Sequence, residues 1–400
     1  EVCSVKRKNW LKNKFLHVIY AIGREYSGFR NTYKKKTEQK NILLYCSSRT
    51  MEEHLVNFME QLEDISSYTL YLCFGDNYPA RKKQDKQETL FKNKPIKVVR
   101  STWQLYHGLW DLVVCSDLEF PFWIKKGVIP TVYIGHGSGA VSYDNGATTY
   151  DYGCDSLDKN GNPMFDMMLE PNKKIAEFMK KDPVFGKTIR SGGYRFAWRL
   201  KAASEKKEYY RRKLGIGDKI VVSIWGSWGK DSLFHVLGDS IFVECEKLEK
   251  EGFQFIFSIH PREYQRYDEV TEPLGEKVEQ LREKGFMIRS PQQDWLPYMM
   301  ASDVVMVDYS AMTSLAVLAA KKIIISKFPE ERIWRRSMYA ELRKIFPVVE
   351  KAEDLKAALH EVLGTDRYEK EILRFQDQLY ASKEDYKKFI QDTVQELVNR

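Results

Sequence analysis

The sequence predicts an α/β protein built from two parallel sheets, each covered by helices. Short apolar runs of strand length alternate with helical segments between residues 41 and 134, and a second alternating series spans residues 219–326. The highly charged stretch 199–213 separates the two series, as expected for a connection between domains. A chain of 400 residues is long enough for two domains of ordinary size.

The first series contains five predicted strands, which are residues 41–47, 69–74, 96–99, 111–115 and 131–134, with helices at 51–62 and 102–109. The second series has strands at 219–225, 253–259, 286–288 and 304–307 and helices at 240–251, 275–284, 294–301 and 311–320. After residue 327 the pattern is helical, at 329–345, 352–363, 367–381 and 383–398. We therefore divide the chain into a basic segment (1–40), a first Rossmann-like domain (41–199), a second (200–328) and C-terminal helices (329–400) that pack back on both.

The basic segment predicts an amphipathic helix, because residues 5–40 place Trp10, Phe15 and other apolar residues among many Lys and Arg. Such a helix can lie on an anionic membrane, where each basic residue contributes about 1 kcal/mol. Alternatively it packs on its own domain and exposes a solvated basic face. The formal net charge of +8 favours anionic partners in general.

The composition also limits the class of protein. Six cysteines show no CxxC spacing, and three of them fall in predicted buried strands, so we expect a reducing, cytosolic compartment. No apolar run approaches the roughly 20 residues that cross a bilayer. No GxGxxG follows the first strand, so nothing indicates a dinucleotide cofactor, and no standard nucleic-acid motif is present.

Two histidines directly follow predicted strands, where parallel sheets bind ligands. His136 stands between glycines after the strand 131–134 and could act as a general base, or it could simply pack in a turn. His260, in His260-Pro261-Arg262, follows the strand 253–259; Arg262 suits phosphate oxygens and the histidine can donate to a leaving phosphate.

The turn Asp308-Tyr309-Ser310 joins the strand 304–307 to a helix. Ser310 is expected either to cap that helix or to bind phosphate together with the hydroxyls of Thr313 and Ser314 in the first turn. Asp294 is expected first of all to cap the helix that it opens.

The order of these motifs resembles the CDP-glycerol glycerophosphotransferase family, the teichoic acid and capsule polymerases. The resemblance covers roughly residues 131–328 and is most specific at Ser302-Asp303 and Asp308-Tyr309-Ser310. It implies the GT-B architecture, in which two Rossmann-like domains face each other across a cleft. It further implies transfer, without metal or cofactor, of a polyol phosphate from a CDP-activated donor to a hydroxyl of a growing polymer or lipid-linked primer, releasing CMP.

In this resemblance His136 is the base that deprotonates the acceptor, and His260 stabilises the donor pyrophosphate. Ser302 and Asp303 are expected to shape the nucleotide pocket. The full set of implied substrate-binding residues is Gly137, Ser138, Arg195, Ser227, Trp228, Arg262, Ser302, Asp303, Asp308, Ser310, Thr313 and Ser314. The implied location is the cytoplasmic face of a bacterial cell membrane.

Two positions differ from the family pattern. Ser138-Gly139-Ala140-Val141 stands where the family has Thr-Pro-Leu-Lys, and Ala311 replaces a second serine after Asp-Tyr-Ser. The polyol and the donor therefore stay open. The alternatives are a glycosyltransferase using a nucleotide sugar, a sugar-nucleotide 2-epimerase, and a basic protein that binds polyanions without catalysis.

Overall fold

The computed structural model describes residues 20–34, 37–75, 89–117, 121, 123–135, 157–158, 160–264 and 273–400. Within these residues two separate sheets form, one of seven strands and one of six, and every pairing between named strands is parallel. Helices cover both sheets, so the predicted α/β class with two parallel sheets is confirmed.

The first sheet has the order β3-β2-β1-β4-β5-β6-β7. Its strands are β1 Lys40–Cys46, β2 Tyr68–Phe74, β3 Lys97–Val98, β4 Leu112–Cys115, β5 Thr131–Tyr133, β6 Met167–Leu169 and β7 Ile189–Arg190. The central strand β1 is continuously apolar because both of its faces are covered, and residues 42–46 are buried. The sequence did not predict β6 and β7, which are three and two residues long.

The second sheet has the order β10-β9-β8-β11-β12-β13. Its strands are β8 Ile220–Trp225, β9 Phe253–Ser258, β10 Met287–Arg289, β11 Val304–Val307, β12 Lys322–Ser326 and β13 Val348–Val349. The strand order reverses between β8 and β11. In doubly wound sheets the carboxyl ends of the strands at such a reversal form a crevice that binds ligands.

Helices of five to sixteen residues connect and cover these strands. Those before the second sheet are Glu52–Glu60, Thr102–His107, Lys173–Met179, Ala197–Ser204 and Lys207–Leu214. Those within the second unit are Leu233–Leu237, Ser240–Glu249, Gly275–Glu283, Leu296–Ala301, Met312–Leu318 and Met338–Leu342. The last three are Asp354–Leu363, Arg367–Leu379 and Lys383–Val398.

The prediction of a single helix over residues 329–345 is wrong. The segment contains a 3-10 turn, Glu330–Arg332, and the short helix Met338–Leu342, and the strand β13 follows. The intervening chain is extended at Ile333 and carries Trp334, only 4% exposed, into the core of the first sheet. Burial of this large ring in the other domain competes with local helix formation.

The final helices contact both units. Helix Arg367–Leu379 adds Ile372 and Phe375 to the core of the second sheet, whereas helix Lys383–Val398 adds Ile390 and Val394 to the core of the first. The chain thus returns to the first domain at its end. This crossing links the two domains by packing as well as by the peptide chain.

Residues 20–32 form a helix within the predicted basic segment. Asn31 ties it to the first domain, donating to the carbonyl of Gly108 at 3.1 Å and accepting from the Trp110 N–H at 2.8 Å. The residues of the predicted basic helix before residue 20 lie outside the described part of the chain. No helix in that described part is long and apolar enough to cross a membrane.

Candidate functional site

Asp308 organises the reversal point of the second sheet. It directly follows β11 and is completely buried. Its Oδ2 accepts from the Ser227 N–H at 2.7 Å, the Ser227 hydroxyl at 2.8 Å and the Leu233 N–H at 3.0 Å. Burial raises the pKa of Asp308, and these hydrogen bonds act against that rise. Asp308 and Ser227 therefore hold the loop after β8 in place.

Glu263 fixes the other end of the same loop. This carboxylate is 3% exposed; its Oε1 accepts from the Gly229 N–H at 2.7 Å and its Oε2 lies 2.8 Å from His235 Nε2. Gly229 has a φ of +87°, a conformation that glycine adopts without strain. The loop is thus clamped on both sides of Trp228, which is 40% exposed.

Trp228, His260 and Arg262 come together at this edge, as the sequence predicts for residues that follow neighbouring strands. The guanidinium carbon of Arg262 lies 4.4 Å from the centroid of the Trp228 ring, a cation–π distance. The rings of Trp228 and His260 are 6.4 Å apart. The three side chains form one surface with a cation and two rings.

His260 is neutral at physiological pH. Burial, together with the positive charges of Arg262 and Arg289, lowers its pKa to about 4. Its Nδ1 accepts the backbone N–H of Arg262 at 3.2 Å, so the proton of the neutral ring is on Nε2. His260 can therefore donate a hydrogen bond from Nε2 without carrying charge.

Of the two roles that the sequence left open for Ser310, the structure does not show the helix cap. The helix begins at Met312 with Ala311 in the N-cap position, and Thr313 Oγ1 donates to the Asp308 carbonyl at 3.0 Å. The Ser310 hydroxyl oxygen and Asp308 Oδ1 are buried and have no partner of ordinary hydrogen-bond geometry among the described residues, but the Ser310 side chain is near enough to Asp308 to lower its pKa. Ser314 is buried in the first turn.

Ser302 and Asp303 lie at the opposite edge of the sheet, because β11 runs between them and Asp308. Asp303 pairs with Lys207 and Arg211 and accepts from the Val221 N–H at 2.8 Å. The Ser302 hydroxyl donates to the Tyr298 carbonyl at 2.8 Å. The structure therefore separates these two residues from the other predicted site residues and gives them contacts within the domain.

Arg195 lies at the carboxyl edge of the first sheet, the edge that corresponds to the site of Asp308 in the second. It is 3% exposed; its Nε donates to His54 Nδ1 at 2.8 Å and its Nη1 to the Ile134 carbonyl at 3.0 Å. Its Nη2 is buried and has no hydrogen-bond partner in the described part of the protein. A buried donor without an acceptor is uncommon in folded proteins and calls for an explanation.

His136, Gly137 and Ser138 lie outside the described residues. The described chain reaches Gly135, whose φ is +69°, directly after the Ile134 carbonyl that Arg195 binds. Thus Arg195 contacts the backbone two residues before His136.

Glu53 connects the edges of the two sheets. Burial and the charge of Asp294 raise its pKa, while Arg195, Arg199 and a hydrogen bond with the Trp295 side chain lower it. Glu53 lies in the first turn of helix Glu52–Glu60 after β1, and Trp295 belongs to the loop after β10. The carboxyl ends of the two sheets therefore face each other. The predicted cap residue Asp294 lies one position before the N-cap, which is Trp295, although its side chain accepts the Leu296 N–H at 3.0 Å.

The sequence did not single out Glu53, His54, Glu263 or Arg289. Arg289 ends β10, so the rule that polar residues at strand ends mark a site could have found it. Glu263 carries no such signal, because its partners Gly229 and His235 are distant in sequence. Among the described residues, no group of three or more His, Cys, Asp or Glu could hold a metal ion.

No family model matches the chain, and no curated protein matches it. Solved structures do. The wall teichoic acid polymerase TagF is 14% identical with a TM-score of 0.64, covering 98% of both chains. UDP-GlcNAc 2-epimerase from Neisseria meningitidis is 12% identical with a TM-score of 0.57, over 89% of this chain and 100% of that one. A glycosyltransferase from Rickettsia africae is 13% identical with a TM-score of 0.51, over 91% and 100%.

At these identities the likeness concerns the fold. The predicted GT-B architecture, with two Rossmann-like domains facing each other across a cleft, is confirmed. That architecture serves transferases and an epimerase alike. The choice among them has to come from the site.

Proposed function

We propose that this protein transfers a polyol phosphate from a CDP-activated donor to a hydroxyl group of a cell-envelope polymer or its lipid-linked primer. The observation that carries the proposal is the pairing of the neutral His260 with the cationic Arg262 at the ligand-binding edge of the second sheet. A hydrogen-bond donor and a nearby cation suit a pyrophosphate, because negative charge develops on the phosphate of CMP as CMP departs. The similarity to TagF, whose structure was also studied with CDPG, supports the same class of donor.

In the proposed reaction the acceptor oxygen forms a new bond to the phosphorus that carries the polyol, and the bond to the bridging oxygen breaks. CMP leaves with the electron pair, and His260 Nε2 and Arg262 stabilise its phosphate. His136 takes the proton of the acceptor hydroxyl. Ser227, Trp228, Ser310 and Arg195 are proposed to contact the substrates.

Arg195 gives the acceptor side its own binding group. Its Nη2, which has no hydrogen-bond partner among the described residues, lies at the edge of the first sheet, beside the chain that leads to His136. A phosphate of a growing polyol-phosphate chain is an acceptor that a guanidinium binds well. Burial of the whole side chain holds that group in one position.

The helix at residues 20–32 supports contact with an anionic membrane. Ile22, Tyr26, Phe29 and Tyr33 follow each other at spacings of four, three and four, and each is more than a third exposed. Exposed apolar residues beside basic ones favour a charged lipid surface, where a lipid-linked acceptor resides. Co-sedimentation with phosphatidylglycerol vesicles, compared with phosphatidylcholine vesicles, tests this contact. A Phe29→Ser variant should bind the anionic vesicles less well.

The function is tested first by calorimetric titration with CDP, CMP, UDP and GDP. Selective binding of the cytidine nucleotides, followed by release of CMP from CDP-glycerol or CDP-ribitol with an acceptor, supports the proposal. A preference for UDP or GDP favours a glycosyltransferase, and isomerisation of a UDP-sugar without acceptor favours a 2-epimerase.

The role of His136 is tested separately. His136→Ala should abolish transfer and leave CDP affinity unchanged, whereas His360→Ala, a change of an exposed histidine on helix Asp354–Leu363, should alter neither. Loss of CDP affinity in His136→Ala would contradict its assignment as the base.

A further inference from the structure

Arg289 is the last residue of β10 and lies at the ligand-binding edge of the second sheet. It pairs in register with Ser258, the last residue of β9, which pairs in turn with Trp225 of β8. Its Nε donates to Ser258 Oγ at 2.9 Å, and its guanidinium carbon lies 5.7 Å from the centroid of a Trp225 ring. Arg289 thus lies two strands from β8 and is held against Ser258, which precedes His260 by two residues.

The hydrogen bonds that Arg289 forms with the described residues do not neutralise its charge. The residue is 9% exposed, and its Nη1 donates to the carbonyls of Ser290 at 3.2 Å and Gln293 at 2.7 Å, which are neutral acceptors. No carboxylate of the described residues forms an ion pair with it. Burial lowers the pKa of Arg289, while the charge of Asp294, which acts on the guanidinium without forming an ion pair, opposes that shift.

Nearby Arg282 shows the contrast. Arg282 Nη1 lies 2.6 Å from Glu279 Oε1, and Arg282 Nη2 donates to Ser290 Oγ at 2.8 Å. The charge of Arg282 is therefore neutralised within the protein. Arg289, in contrast, donates only to neutral acceptors, and its charge makes protonation of His260 less favourable.

We propose that Arg289 is an anion-binding residue of the donor site, donating through Nη2 to a phosphate oxygen of a bound nucleoside diphosphate. Nη2 has no hydrogen bond to the described residues, whereas Nε and Nη1 are already used. The neutral His260 provides a hydrogen bond, and Arg289 provides charge. The identity of the diphosphate rests on the proposed function, but the anion-binding role does not.

The test compares Arg289→Gln with the wild type by calorimetry, using inorganic pyrophosphate, CDP and the uncharged nucleoside cytidine. Loss of a charged hydrogen bond should weaken pyrophosphate and CDP about 10- to 100-fold. Cytidine affinity should not change. Arg212→Gln is the matched control, because Arg212 is exposed on helix Lys207–Leu214, whose Arg211 contacts the opposite edge of the sheet. It should bind every probe as the wild type does.

Equal pyrophosphate affinity in Arg289→Gln and wild type would overturn the proposal, as would a parallel loss of cytidine affinity, which would indicate a role in loop structure. If cytidine and CDP do not bind the wild type while pyrophosphate does, the proposed function fails and the pyrophosphate comparison still decides the role of Arg289.

A measurement on the wild type covers the case in which the variant does not fold. Pyrophosphate should slow modification of Arg289 by phenylglyoxal at least fivefold, as followed by mass spectrometry, and leave the rate at Arg212 unchanged. Equal rates at Arg289 with and without pyrophosphate would also overturn the proposal.

Discussion

Replacement of Asp308 by alanine should destabilise the second domain strongly. The change removes the acceptor of three hydrogen bonds, from the Ser227 N–H, the Ser227 hydroxyl and the Leu233 N–H. The hydroxyl can turn to another acceptor, but the two backbone groups cannot. Each lost hydrogen bond to a charged group costs about 1.5–3 kcal/mol, and relief of the buried charge offsets part of it. We expect a net loss of about 3–5 kcal/mol.

Asp308→Asn is the matched control, because its side-chain oxygen can replace Oδ2 as the acceptor. The amide nitrogen then takes the place of Oδ1, which has no partner of ordinary geometry among the described residues. This variant should lose only about 1 kcal/mol.

Urea unfolding followed by tryptophan fluorescence measures both losses, and hydrogen exchange of residues 226–233 locates them. Two results would refute the reasoning. One is an alanine variant within 1 kcal/mol of wild type, and the other is an asparagine variant as unstable as the alanine variant. Either would mean that the loop after β8 does not depend on the Asp308 carboxylate.

Two further predictions concern buried titratable groups. Because the folded pKa of His260 is about 4, below the 6.5 of an unfolded histidine, the unfolded chain binds more protons between these values and stability falls as the pH drops. His260→Gln should reduce that loss by at most about 3 kcal/mol, measured by urea unfolding at pH 7.5 and 4.5. Lys321 donates to the carbonyls of Met300 and Ser302 at 2.8 Å each, and burial lowers its pKa to about 7. Wild-type stability should therefore rise between pH 7 and 9. Lys321→Met should lack this rise and lose about 1–3 kcal/mol at pH 7.

The fold could be predicted where the strands are long and buried. β1 and β8 expose little of their apolar runs to water, and their sequences predict them within one or two residues. β7 and β13 have two residues each, which is too short for a periodic signal, whereas the equally short β3 lies inside the longer apolar run 96–99. Their positions depend on pairing with neighbours that the chain order alone does not define.

The site could be predicted in part for the same reason. His260 and Arg262 follow a buried strand, and the carboxyl ends of parallel strands meet at one edge. Ser302 and Asp308 are close in sequence yet lie at opposite edges, since the four residues of β11 span about 13 Å. A motif that contains a whole strand therefore cannot be treated as one binding surface.

The buried carboxylates explain how this edge can favour anions. Asp308 and Glu263 both lie beside the cleft cations and would repel a phosphate if their charges faced it. Instead Asp308 directs one oxygen at two backbone N–H groups and a hydroxyl, and Glu263 directs its oxygens at the Gly229 N–H and His235. Because those donors neutralise much of the carboxylate field, the two buried carboxylates oppose the positive charges of Arg262 and Arg289 at the edge less than free carboxylates would. The same hydrogen bonds fix the loop that carries Trp228, so the groups that set the polarity of the site also set its shape.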